Sequence, residues 1–390
     1  MEQTILAPEA GALIKKERIS GIELLKIIGI FLIVISHVTQ TLGTDSMSVL
    51  GFNDYYINLN NSTTNFQIIV LQIFQYFGQL GNMIFFVCSA WFLIDKDETN
   101  TKKLLRMILD VFIISICWLI PMLFIEGRST LGWKNIVRSL LPTFFANNWY
   151  ITYYIIFCFI YPFMNMLIRK IDQKKHLMIA LVLFFCYLFC AFIYNFPGSS
   201  NLVTWISIYF VITYFKLYGT DFCNSKKANW IVFGLGVVGT LTLILGTNFI
   251  GFKIGLFENQ VKRWIKICNF LNLMISFSLL NLFSRLKFKS KFINYVSSLS
   301  LLVYVIHENI LFRIYIRPRI WQWIYLNLGY SKLLLWEFLF IITLFSASCL
   351  IAALYKTTLQ KLVAKLSDAI YKLLQRILNW IQNKLLHFIH

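Results

Sequence analysis

Two histidines, His37 and His307, stand inside long apolar stretches of this chain. An imidazole is the usual side chain for moving a proton near neutral pH, and in an apolar helix it is placed to deprotonate a hydroxyl. The plainer reading of each is a helix-packing hydrogen bond. Ionisable groups inside a membrane span are costly, so each needs a partner or a purpose. Glu23 and Lys26 precede His37 on the same stretch. Lys26 and His37 are separated by close to three helical turns, which puts them on one stripe, about 16 Å apart along the axis, with Glu23 near it. Taken alone, Lys26 reads equally well as an interfacial lysine that snorkels to the headgroups. Ser297, Ser300, Tyr304, His307 and Glu308 also share one helical face. That face is either a polar seam between helices or the wall of a site.

The elements that must position these groups are membrane spans. Of 390 residues, 58% are hydrophobic and 14% charged, too little charge to cover a soluble domain of this size. The apolar runs reach the roughly 20 residues needed to cross a bilayer core, and Tyr and Trp gather near their ends as an aromatic belt would. Ten spans fit, at roughly 21–43, 67–94, 104–125, 147–168, 177–196, 202–219, 230–250, 265–284, 292–312 and 333–355. The first is too long for the apolar core of a signal peptide and reads as a retained span. Lys15, Lys16 and Arg18 precede it, and the outer loop 44–66 has neither Lys nor Arg. Basic clusters recur on the other side, at Lys102, Lys103 and Arg106, at Arg169 and Lys170, and at Arg285 to Lys291. By this bias both termini are cytoplasmic, and His37 and His307 fall at similar depth in the outer half. The net charge of +19 is then an orienting charge that meets anionic headgroups, and nucleic acid is not an expected partner. The eight cysteines lack metal-ligand spacing and read as small buried hydrophobes.

Further candidates lie on neighbouring spans. Gly78, Gly81, Phe85, Phe86 and Ser89 line the second, where the glycines permit close helix approach or leave room for a ligand chain. Lys102, Lys103 and Arg106, just beyond, can meet phosphates or simply orient the chain. Asn147, Asn148, Trp149 and Tyr150 open the fourth span on the outer side, where they suit sugar binding or form part of the belt. The segment 356–390 differs in kind. Leu359, Leu366, Leu373 and Trp380 recur every seventh residue, with Lys361, Lys365, Lys372 and Lys384 on other faces. It is expected to be a basic amphipathic helix on the inner leaflet or, alternatively, a self-associating one.

The order of these signals carries a resemblance. Arg18-Ile-Ser-Gly-Ile-Glu23-Leu-Leu-Lys26, followed by His37, resembles the opening of the acyltransferase family 3 membrane proteins. Gly81 to Trp91 (GNMIFFVCSAW) is similar to the second-span motif of that family, Trp149-Tyr150 with Pro162 and Asn165 to its fourth-span stretch, and Ser297 to His307 (SSLSLLVYVIH) to its late motif. Two positions depart: Lys26 stands where the family usually has arginine, and Ala90-Trp91 replaces a Gly-aromatic pair. The resemblance implies an all-α, polytopic domain over 1–355, with the tail 356–390 outside it. It also implies transfer of an acyl group, usually acetyl, from cytoplasmic acetyl-CoA or another acyl-CoA to a hydroxyl of a surface glycan or its lipid-linked precursor, in a bacterial plasma membrane. On this basis His37, Glu23, Tyr304 and His307 are the expected catalytic group. Arg18, Lys26, Ser89, Lys102, Lys103 and Arg106 are expected to hold the donor, and Asn148, Trp149 and Tyr150 the acceptor. No metal is expected; a homo-oligomer or glycan-synthesis partners are possible companions. A glycan or lipid flippase with no covalent step is the alternative function.

Overall fold

The computed structural model describes residues 18–42, 62–193, 200–254, 269–328 and 332–389. Lys15, Lys16, most of the outer loop 44–66, Cys268 and His390 lie outside them. The described chain is helical throughout, without strands, as an apolar solvent demands: only a helix satisfies its backbone groups within one segment. The main helices are α1 (Ser20–Leu42), α2 (Ser62–Leu93), α3 (Thr101–Leu140), α4 (Trp149–Lys170), α5 (Gln173–Ile193), α6 (Ser200–Tyr218) and α7 (Lys226–Ile254). They continue as α8 (Asn269–Phe283), α9 (Lys291–Ser297), α10 (Ser300–His307), α11 (Arg317–Leu328), α12 (Leu333–Thr357) and α13 (Leu359–Ile389). Among the described residues six helices are long and apolar enough to cross a membrane, seven if one bent pair counts as a span, and two shorter apolar helices, Leu202–Tyr218 and Asn269–Phe283, join them. The chain is an all-α polytopic membrane protein.

Two expected boundaries differ. The span expected at 104–125 is the first part of the 40-residue α3, whose later part turns at Gly127 and Gly132, both at positive φ where a glycine costs no Cβ clash. The span expected at 292–312 is not straight. It runs from Lys291 to His307 and bends by 60° into a second piece, Phe312–Ile324. Glu308 ends α10, the Asn309 side chain accepts from the Leu311 amide at 3.0 Å, and a π-helical turn over Phe312–Ile316 leads into α11. The tail extends as one 31-residue helix.

α1 is the axis of the bundle. It packs against α2, α8, α9, α10 and α12, and two thirds of its apolar window is buried, against 17% for α7 at the periphery. Its contact with α2 depends on small residues. A Cβ on Gly81 would stand 2.5 Å from the Gly29 carbonyl oxygen, and one on Gly78 2.4 Å from Ser36 Oγ. The second-span glycines therefore serve close approach, leaving no side-chain space between the two backbones. Phe124, Phe163, Phe185 and Leu350 point outward, as a lipid-facing surface requires.

Candidate active site

The bend after α10 places His307 against His37. His307 Nδ1 donates to the Val303 carbonyl at 2.6 Å, so its Nε2 carries the lone pair. His37 Nδ1 lies 2.9 Å from that Nε2 and 3.2 Å from Glu308 Oε2. Both neighbours are acceptors, which assigns the His37 proton to Nδ1 and its lone pair to Nε2. Glu308 is buried and takes Arg317 Nη2 at 2.8 Å and Arg313 Nη1 at 2.9 Å. Arg317, 1% exposed, also donates to the carbonyl oxygens of His37 at 2.8 Å and His307 at 2.6 Å. One guanidinium thus ties together the backbones carrying both imidazoles and balances the carboxylate between them. The Tyr304 ring lies 6.1 Å from that of His37 and 6.0 Å from that of His307.

His37, His307 and Glu308 offer ligand atoms within 4.8 Å of one another. A divalent cation placed there would face the Arg317 guanidinium, which already supplies the positive charge that Glu308 meets. The trio fits a hydrogen-bonded proton relay better than a metal site.

At the other end of α1, Glu23 accepts from Lys26 at 3.3 Å and from Ser297 Oγ at 2.5 Å. Arg18 donates to the Asn294 carbonyl at 3.1 Å, and Ser20 bonds the Asn294 side chain. The opening motif thus joins the first turns of α1 to α9, as its polar faces allow. Lys103 interacts electrostatically with Lys96, Lys26 and Arg18, as well as with Cys158. Lys96 sits on a turn held by α4: Asn165 Nδ2 donates to the carbonyls of Leu93 at 3.0 Å and Lys96 at 2.7 Å, and Tyr161 Oη to that of Glu98 at 2.6 Å. Lys102 points elsewhere, to Asp368 of α13 at 3.0 Å, and Arg106 lies beside Asp110, which accepts from Tyr355.

Between the cations around Lys103 and the two histidines runs a column of polar side chains. The Tyr154 hydroxyl is hydrogen-bonded to the side chains of Ser89 and Cys158. Tyr150 neighbours Tyr154, Cys88 and Cys158 below and Tyr304 above, and its amide reaches the Tyr304 hydroxyl. The Tyr150 hydroxyl and Asn148 Nδ2 are buried without a hydrogen-bond partner, an expensive state for a polar group unless something visits it. Trp149 meets Tyr150 and Tyr153 edge to face at 5.8 and 6.2 Å, and Trp205 closes on Tyr150 at 4.9 Å.

A family model described as an acyltransferase domain matches residues 19–355. The chain belongs to this family. No curated protein and no solved structure matches it. The protein is therefore a multi-pass membrane acyltransferase, and the match ends where α12 ends. Within this acyltransferase, the departure at Ala90-Trp91 has a local cause. Ala90 is fully buried, and Trp91 lies under Lys216, whose Nζ is 4.9 Å from the ring and bonds Asp95 at 2.8 Å. Arg317, Arg313 and Lys96 escaped the sequence reading. The signal was present: Arg313 and Arg317 sit four apart in an apolar stretch, one helical turn, just past the expected end of a span.

Proposed function

We propose that the protein moves an acetyl or other short acyl group from cytoplasmic acyl-CoA to a hydroxyl of a cell-surface polysaccharide, or its lipid-linked precursor, at a bacterial plasma membrane. The observation that carries this reading is the column from Lys103 through Cys158, Tyr154, Ser89, Tyr150 and Tyr304 to His37. It joins an inner cation cluster, which suits the phosphates of a CoA, to an outer base.

Lys103, Lys96, Lys26 and Arg18 take the donor phosphates. The pantetheine arm follows the Ser89–Tyr154–Cys158 wall and brings the thioester to His37. His37 Nε2 takes the proton of the acceptor hydroxyl, and Glu308 faces the imidazolium that forms. The oxygen attacks the thioester carbonyl, the C–S bond breaks, and the proton passes from His37 to the departing CoA thiolate. Asn148 Nδ2, unpaired at the outer mouth, and the Trp149 and Tyr150 rings receive the acceptor.

The test is transfer of labelled acetyl from acetyl-CoA to polysaccharide by purified, reconstituted protein. The His37→Ala variant, folded and inserted, is expected to transfer none. A flippase would bind no acetyl-CoA in the same membranes.

A further inference from the structure

The helix α13 lies outside the family match and presents two different surfaces. Its first turns dock on the bundle: Val363 and Ser367 are 2% and 1% exposed, Leu359 packs on the main core, and Asp368 pairs with Lys102 at the start of α3. Leu362, Leu366, Leu373, Ile377, Trp380 and Ile381 are all exposed, Leu362 at 63% and Trp380 at 59%. At 3.6 residues per turn these six fall within a sector about 100° wide. Lys361, Lys365, Lys372 and Arg376 fall within about 60° beside it, while Val363 lies at its other edge and Ser367 beyond that edge. Asp368 is the sole acid on the helix, and it is already paired with Lys102.

An apolar sector edged by cations, on a helix held at the foot of a membrane bundle on its basic side, matches the inner leaflet in both polarity and charge. We propose that the exposed face of α13 is an anionic-lipid-binding strap. It lies in the interface with its apolar sector among the acyl chains and its cations among acidic headgroups. Because Asp368 is paired to Lys102, one residue from Lys103, lipid engagement of the strap steadies the first turn of α3.

The experiment uses the full-length protein in nanodiscs of phosphatidylcholine alone or with phosphatidylglycerol, carrying a nitroxide at Leu373→Cys or, separately, at Gln375→Cys on the opposite face. With phosphatidylglycerol, the label at 373 is expected to be accessible to dissolved oxygen and shielded from an aqueous nickel chelate, and the label at 375 the reverse. Changing Lys361, Lys365, Lys372 and Arg376 to glutamine should weaken the phosphatidylglycerol preference roughly fivefold per cation. A label at 373 reached by the chelate in both lipids overturns the proposal. So does one immobilised and shielded from both reagents, which would mean a second copy covers the face. The readout is independent of acyl transfer, so it succeeds or fails apart from the proposed reaction.

Discussion

At the residue scale, two imidazoles have their protons placed by their neighbours and a third side chain, Glu308, has its charge answered. His307 is held by Val303, His37 by His307 and Glu308, and Glu308 by two guanidinium groups. Losing a positioned general base should lower the rate about 10²–10⁴-fold, so His37→Gln is expected to fall in that range while its binding of acetyl-CoA, followed by equilibrium dialysis, stays near wild type. Arg317→Met takes one of its two guanidinium partners from the buried Glu308 carboxylate and the donor from two carbonyl oxygens. A loss of about 3–5 kcal/mol in folding stability is expected, read as a drop in thermal midpoint, whereas Arg317→Lys should keep part of the stability and lose the fork that holds both backbones. The inner cations are expected to separate by face. Lys103→Ala should raise KM for acetyl-CoA, more at low salt than at high, and Lys102→Ala, removing a partner of Asp368, should leave it unchanged.

At the element scale, α1 holds both ends of the column, and its position depends on where it touches α2. Gly81→Val forces a side chain into the Gly29 carbonyl. Overpacking of this kind costs about 1–3 kcal/mol, to be measured by thermal unfolding in detergent, while Gly246→Ala, with nothing within 4 Å, should change little. Helical periodicity placed Lys26 and His37 on one stripe, and Tyr304 and His307 on one face, because those relations lie within single helices, α1 and α10. The bend after His307 was not legible. It is fixed by Arg317 reaching the His37 carbonyl, a contact across 280 residues of chain, and hydropathy cannot register an arginine whose charge is answered by Glu308 within the bend itself. The turn carrying Lys96 was hidden for the same reason, since Asn165 of another helix holds it. The second-span glycines were seen, but their choice between ligand room and helix contact waited on Gly29 facing them.

At the scale of the whole molecule, the proposed reaction takes its direction from the charge asymmetry of the sequence: cations on one side for the donor, histidines toward the other for the acceptor. The family match covers the bundle and ends before α13, so in the proposed reading the bundle carries the chemistry and α13 meets the leaflet. The central claim is that an acyl group crosses along the column and is transferred by His37. Its most direct measurement uses vesicles with the protein inserted in one orientation, labelled acetyl-CoA supplied only at the face bearing Lys103, and the glycan acceptor only at the other. The account predicts label on the acceptor with the wild-type protein and none with His37→Ala. Transfer by His37→Ala at the wild-type rate would contradict it.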